Sequence, residues 1–90
     1  MSEREHVERE LMLVKVRCST ATRSEIMQIC DIFRARIVDV DHECLIIEVS
    51  GTTKKNEALL ELFDPFGVLE MTRTGRIALQ RGPEILPIPE

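Results

Sequence analysis

Glu10-Leu11-Met12-Leu13-Val14-Lys15-Val16-Arg17-Cys18 decides the fold. Met12, Val14, Val16 and Cys18 fall on one face and Leu11, Leu13, Lys15 and Arg17 on the other, a period of two that predicts a strand. One face is wholly apolar and is expected to meet a core. The other is half apolar, which an ordinary solvent face is not.

Downstream, Ser19 to Arg23 is a polar break, and Thr22 with Glu25 three residues on predicts a capping box at the start of a helix. Ile26, Ile29, Cys30 and Phe33 stand at i, i+3, i+4 and i+7 and predict its buried stripe. Arg23, Gln28, Asp31 and Arg34 then face water or a partner. Alternation resumes over Arg36–Asp41, and Asp41-His42-Glu43 turns the chain into Cys44–Ser50, so these two runs are expected to pair as a hairpin. Thr52-Thr53 offers the cap of a second helix marked by Ala58, Leu59, Leu62 and Phe63. Asp64-Pro65 ends it, because proline cannot continue the hydrogen-bond ladder. Val68–Thr74 is a fourth strand, interrupted at Gly75 and continued over Arg76–Gln80.

The order strand, helix, strand, strand, helix, strand is the ferredoxin-like split βαβ plan. The fold class is therefore α+β: a βαββαβ sandwich with an antiparallel sheet and both helices on one face. The first and third strands, the richest apolar runs, are expected at its centre. Residues 1–8 read as a leader or linker remnant, residues 9–82 as one domain, and residues 83–90, with Pro83, Pro87 and Pro89, as an extended tail. If the helices cover Met12, Val14, Val16, Val38, Val40, Leu45, Ile47 and Val49, the open face carries Leu11, Leu13, Ile37 and Ile46. A contiguous apolar group on an open sheet face marks self-association. The competing cover is the stems of Lys15, Arg17 and Glu48, or the tail.

Composition narrows the function. The 90 residues carry a net charge of −4, with three Phe and no Trp or Tyr, so both the positive surface and the stacking rings that nucleic acid needs are missing. No apolar run reaches the roughly 18–20 residues of a membrane span, and the expected location is the cytoplasm. Cys18, Cys30 and Cys44 have spacings that suit neither a disulfide framework nor a paired zinc site, and they read as small buried hydrophobes.

Catalysis has no evident home. The two histidines, His6 and His42, fall in the leader and in a turn, and each of the four glycines is isolated, so neither a nucleophile–base pair nor a phosphate loop is written here. Asp39, Asp41, His42 and Glu43 could in principle supply ligands to a divalent cation, but a solvated turn is the preferred reading. No cofactor is expected. Arg73-Thr74-Gly75-Arg76 is different: two arginines flank a glycine at a strand end, where no core requirement explains the charges. Arginine forks suit carboxylates across an interface. These four residues, with Arg34, are the candidate partner contacts; an internal pair of arginine with Glu70 or Asp31 is the alternative.

Three segments carry a family likeness: Glu8-Arg9-Glu10-Leu11-Met12-Leu13-Val14-Lys15-Val16, Asp31-Ile32-Phe33-Arg34-Ala35-Arg36-Ile37-Val38-Asp39-Val40 and Arg73-Thr74-Gly75-Arg76-Ile77-Ala78-Leu79. Ile47-Glu48-Val49-Ser50-Gly51 and Phe63-Asp64-Pro65-Phe66-Gly67 add to it. Together they resemble the C-terminal domain of the acetolactate (acetohydroxyacid) synthase small subunit. That resemblance implies a non-catalytic, ACT-like regulatory domain in branched-chain amino-acid biosynthesis. Its implied partner is a catalytic large subunit that uses thiamine diphosphate, a flavin and magnesium, and a homodimer is the expected self-assembly. The family's amino-acid site lies in an N-terminal ACT domain, so this segment is expected to bind valine weakly or not at all. The alternative from the residues alone is a ferredoxin-like module that senses a small molecule or a metal.

Overall fold

The computed structural model describes residues 6–80. Its elements follow the expected order: β1 (His6–Arg17), α1 (Arg23–Phe33), β2 (Arg36–Val40), β3 (Cys44–Gly51), α2 (Thr53–Phe63), a 3-10 turn (Asp64–Phe66) and β4 (Val68–Gln80). The strands form one antiparallel sheet in the order β2-β3-β1-β4. The two apolar strands are central and both helices lie on one face, as the ferredoxin-like plan requires.

Register fixes which side chains meet the helices. Met12 stands opposite Val49, Val14 opposite Ile47 and Val16 opposite Leu45, and residues directly opposed across a ladder share a face. All six are buried, together with Ile26 and Cys30 of α1 and Leu59 and Phe63 of α2. The core is thus a single aliphatic slab closed by one phenylalanine ring. Burying a side chain of this size is worth about 1.5–3 kcal/mol, so the slab dominates stability.

Several expectations are corrected. β1 begins at His6, so residues 6–8 belong to the strand, where they pair with Ala78–Gln80 of β4. The extra ladder satisfies backbone groups that a leader would leave to water. The tail at 83–90 lies outside the described residues. In β2, Ile37 pairs with Ile47 but Asp39 pairs with Ile46, which makes Val38 the extra residue of a bulge. The bulge changes the parity ahead of it: Ile37, opposite Ile47, turns inward and packs against the core, whereas Val40, opposite Leu45, keeps the helix side but, like Val38, is exposed on this edge strand. Ile37 is therefore not on the open face.

The helix starts also differ from each other. Thr52 caps α2 as expected, its hydroxyl accepting from the Lys55 amide at 3.1 Å. Thr22 makes no such bond; it accepts instead from the Ser19 amide at 2.9 Å, so the predicted capping box is replaced by a reciprocal Ser19–Thr22 turn. The buried stripe of α2 consists of Asn56, Leu59 and Phe63, leaving Ala58 and Leu62 exposed. One position of that stripe is polar, and it leads to the site.

Candidate functional site

Glu10 shares the inward row of β1 with Met12 and Val14, and its side chain is only 5% exposed. A buried carboxylate demands donors, and two elements supply them. From α2, the Asn56 amide donates to the Glu10 carbonyl oxygen at 2.9 Å and to Glu10 Oε1 at 3.2 Å. From β4, Arg73 donates Nε and Nη2 to the same Oε1 at 3.0 and 2.8 Å, while Nη2 also reaches Glu57 Oε1 at 3.3 Å. The hydrogen bond to Glu10 holds the Arg73 guanidinium pKa above its ordinary value. Because Glu10 only accepts, Asn56 must turn its NH2 toward it, and Asn56 Oδ1 is left buried without a partner among the described residues.

This network answers the question of Arg73. Its charge is engaged internally, with Glu10 and Glu57, and neither Glu70 nor Asp31 is its partner. Glu70 pairs instead with Lys15, Nζ to Oε1 at 2.7 Å, and each group holds the other charged: Lys15 is shifted up and Glu70 down, chiefly by that hydrogen bond. The signal for the Arg73 pair was the parity of Glu10 with Met12 and the spacing of Asn56, Leu59 and Phe63. Both put a polar group where the pattern requires burial.

Directly beyond Arg73 the ladder changes step. Met12 pairs with Arg73 and Glu10 with Arg76, so two residues of β1 span three of β4. Gly75 absorbs the extra length at φ +79, and an added Cβ there would meet nothing within 4 Å. Glycine is needed at this point for its conformation, not for room. Thr74 seals the bulge: its hydroxyl accepts from the Leu11 amide at 3.1 Å and donates to the Gly75 carbonyl at 2.8 Å. Thr74 and Gly75 are exposed, and Arg76 follows with its backbone paired to Glu10. Arg34, the remaining contact candidate, lies elsewhere, as the left-handed C-cap of α1 at φ 56. The candidate contact set thus divides into one arginine used for scaffolding, a preformed bulge, and a separate exposed cap.

On the open face, Leu11, Leu13 and Ile46 are half-buried. Leu13, Val14, Lys15, Ile46, Glu70, Met71 and Thr72 line a shallow depression of about 240 Å³ there. The hairpin turn is solvated: Asp41, His42 and Glu43 are all exposed, and the Arg23 guanidinium donates to the carbonyls of Asp41 and His42 at 3.0 and 3.3 Å. No group of three or more His, Cys, Asp or Glu suited to a metal ion occurs among the described residues. Nor is any helix among them long and apolar enough to cross a membrane.

A family model described as the small subunit of acetolactate synthase matches residues 9–82. The chain is 52% identical over 81 residues to acetolactate synthase small subunit 2, chloroplastic, of Arabidopsis thaliana, which covers 90% of this chain and 17% of that protein. It is 46% identical over 76 residues to the acetolactate synthase small subunit of Bacillus subtilis, covering 84% of this chain and 44% of that one. Among solved structures, the acetolactate synthase small subunit from Thermotoga maritima superposes with a TM-score of 0.82 at 42% identity, over 87% of this chain and 48% of that one. The chain therefore spans about half the length of its bacterial relatives.

Proposed function

The chain belongs to the family of acetolactate synthase small subunits, and on that premise we propose that it is a non-catalytic regulatory domain. It binds the catalytic large subunit of acetolactate synthase in the cytoplasm, supports that subunit's activation and feedback control, and pairs with a second copy of itself. The observation that carries this reading is that the family match runs over residues 9–82, nearly all of the sandwich and the whole of the Thr74–Gly75 bulge. The bulge offers a rigid, exposed backbone turn next to Arg76, held from behind by the Arg73–Glu10 pair. Arg73 is accordingly a positioning residue, and Thr74, Gly75, Arg76 and Arg34 are the proposed contacts.

The test is co-purification of this chain with the acetolactate synthase large subunit of the same organism, with acetolactate formation measured with and without it. Comigration and a raised rate are expected. Gly75→Ala, which forces a side chain into positive φ at a cost of about 1 kcal/mol, should weaken the comigration while the chain remains folded. A large subunit that neither comigrates with the chain nor changes rate overturns the reading.

A further inference from the structure

β4 is an edge strand, and the direction of its backbone groups follows from two bonds made by β1. The Leu11 amide donates to the Thr74 hydroxyl and the Arg17 amide to the Gly67 carbonyl, so odd-numbered residues of β1 aim their N–H and C=O groups at β4. Thr72, opposite Leu13, and Glu70, opposite Lys15, return those bonds. The backbone groups of Met71 and Arg73 therefore aim the other way, out of the sheet, where no strand of the described residues lies. One flank of α2 stands above this edge. The bond from Arg73 to Glu57 at 3.3 Å places Glu57 on that flank, and Leu60, Glu61 and Asp64 follow at i+3, i+4 and i+7 along the same stripe. These last three line a shallow cleft of about 290 Å³. Met71, opposite Val14 and so on the helix side, is 44% exposed and leaves the floor of the trough apolar.

The charges of the trough are placed against the helix that carries them. Glu61 lies in the last turn of α2 and Asp64 is its C-cap, with no basic residue in that turn. Carboxylates there face the negative end of the helix dipole, which disfavours them. Both are exposed, and neither makes an ion pair among the described residues. A local rule broken without internal compensation marks a place where the compensation comes from outside.

We propose that this trough receives an extended, cationic segment of the catalytic large subunit, which adds as a further strand along residues 70–73 of β4. The inference rests on the proposed function for the identity of the partner. Main-chain bonds to Met71 and Arg73 hold the segment, and its alternate side chains rise against α2. The trough specifies those side chains: an aliphatic one fits between Leu60 and Met71, and a Lys or Arg beside it meets Glu61 and Asp64. Because the trough begins at Arg73, next to the Thr74–Gly75 bulge, it continues the proposed contact surface along the same strand.

Hydrogen–deuterium exchange of the full chain, alone and with excess large subunit, reads the edge directly. The Met71 and Arg73 amides should exchange fast in the free chain at every concentration and at least about tenfold more slowly in the complex, while the Thr72 amide, bonded to β1, is slow in both. A chain carrying Glu61→Lys and Asp64→Lys together should bind the large subunit about tenfold more weakly. The same chain should melt at a higher temperature than wild type, because both lysines suit the helix end, so its lost binding is not a loss of fold. Edge amides already slow in the free chain, as they would be if residues 81–90 or a second copy paired there, overturn the inference. So does a double variant that comigrates as well as wild type, or a complex in which Met71 and Arg73 stay fast; both leave the proposed function standing. A wild-type chain that does not comigrate with the large subunit overturns both.

Discussion

Arg73 gives two hydrogen bonds, from Nε at 3.0 Å and from Nη2 at 2.8 Å, to one oxygen of Glu10, and by doing so ties β4 to the inward row of β1. The same carboxylate takes the Asn56 amide, so α2 is tied to both strands through a single acceptor. Three elements that meet nowhere in sequence thus share one buried charge, at the point where β1 pairs with the end of β3 and where β4 begins its bulge. The pair is asymmetric in exposure: the Glu10 side chain is 5% exposed and that of Arg73 is 24%.

That asymmetry predicts unequal costs. Arg73→Ala leaves a carboxylate that water cannot reach, and it should destabilise the chain by about 2–4 kcal/mol. Glu10→Gln leaves a guanidinium that can turn to solvent and to Glu57, and it should cost only about 1–2 kcal/mol. Urea denaturation of the two variants and of the double variant checks this, the double costing less than the sum of the singles. Equal and small losses would mean that the pair behaves as a surface bridge.

The topology was readable because the apolar alternation of residues 10–18 and 44–50 leaves little choice of face, and because Asp64-Pro65 ends a helix where the hydrogen-bond ladder cannot continue. The bulge in β2 was not readable. Ile37, Val38 and Val40 are all apolar, and no glycine marks the inserted residue, so strict alternation places Ile37 outward with Val38 and Val40 inward, whereas the register turns Ile37 inward, makes Val38 the inserted residue and leaves only Val40 on the helix side. In the candidate site, Gly75 was legible as a break in strand geometry, but the internal partner of Arg73 was not. A pairing between residues 63 apart depends on which strands are neighbours, and a glutamate at a strand start reads as solvated until the row it shares with Met12 is followed through.

The cysteines give a second measurable contrast. Burial pushes the Cys30 thiol up from 9.0 to about 11, and Cys18 is buried as well, while Cys44 stands half-buried on the open face opposite Arg17. A disulfide reagent at pH 8 should therefore label one thiol quickly, Cys44, and the other two only as the chain unfolds. High protein concentration should slow the Cys44 reaction if the open face is covered. The sign of the pH dependence follows from Cys30: unfolding frees a thiol that ionises near pH 9, so the unfolded state binds fewer protons than the folded one above that pH. Stability should fall between pH 9 and 11, by on the order of 2 kcal/mol from this group. Three equally fast thiols would contradict the placement of Cys18 and Cys30.

Arg34 combines exposure with an unfavourable backbone. It ends α1 in the left-handed region, φ 56 and ψ 39, and is the only non-glycine residue with positive φ among those described. The following amide, Ala35 N–H, closes the helix on the Cys30 carbonyl at 2.8 Å, the geometry for which glycine is usually chosen. A side chain there costs about 1 kcal/mol, yet the Arg34 guanidinium makes no ion pair among the described residues that would offset the cost. A residue held in a strained conformation without an internal partner suggests that its side chain acts outside the chain. Arg34→Gly should then raise stability by about 0.5–1 kcal/mol and at the same time weaken activation of the acetolactate synthase large subunit. Arg34→Ala removes the same guanidinium but keeps the backbone penalty, so it should weaken activation equally with no gain in stability. Thermal melts of both variants, set beside large-subunit activity titrated with each, separate the two effects. If both variants activate as well as wild type does, Arg34 makes no partner contact; if Arg34→Gly is less stable than wild type, the strain argument fails.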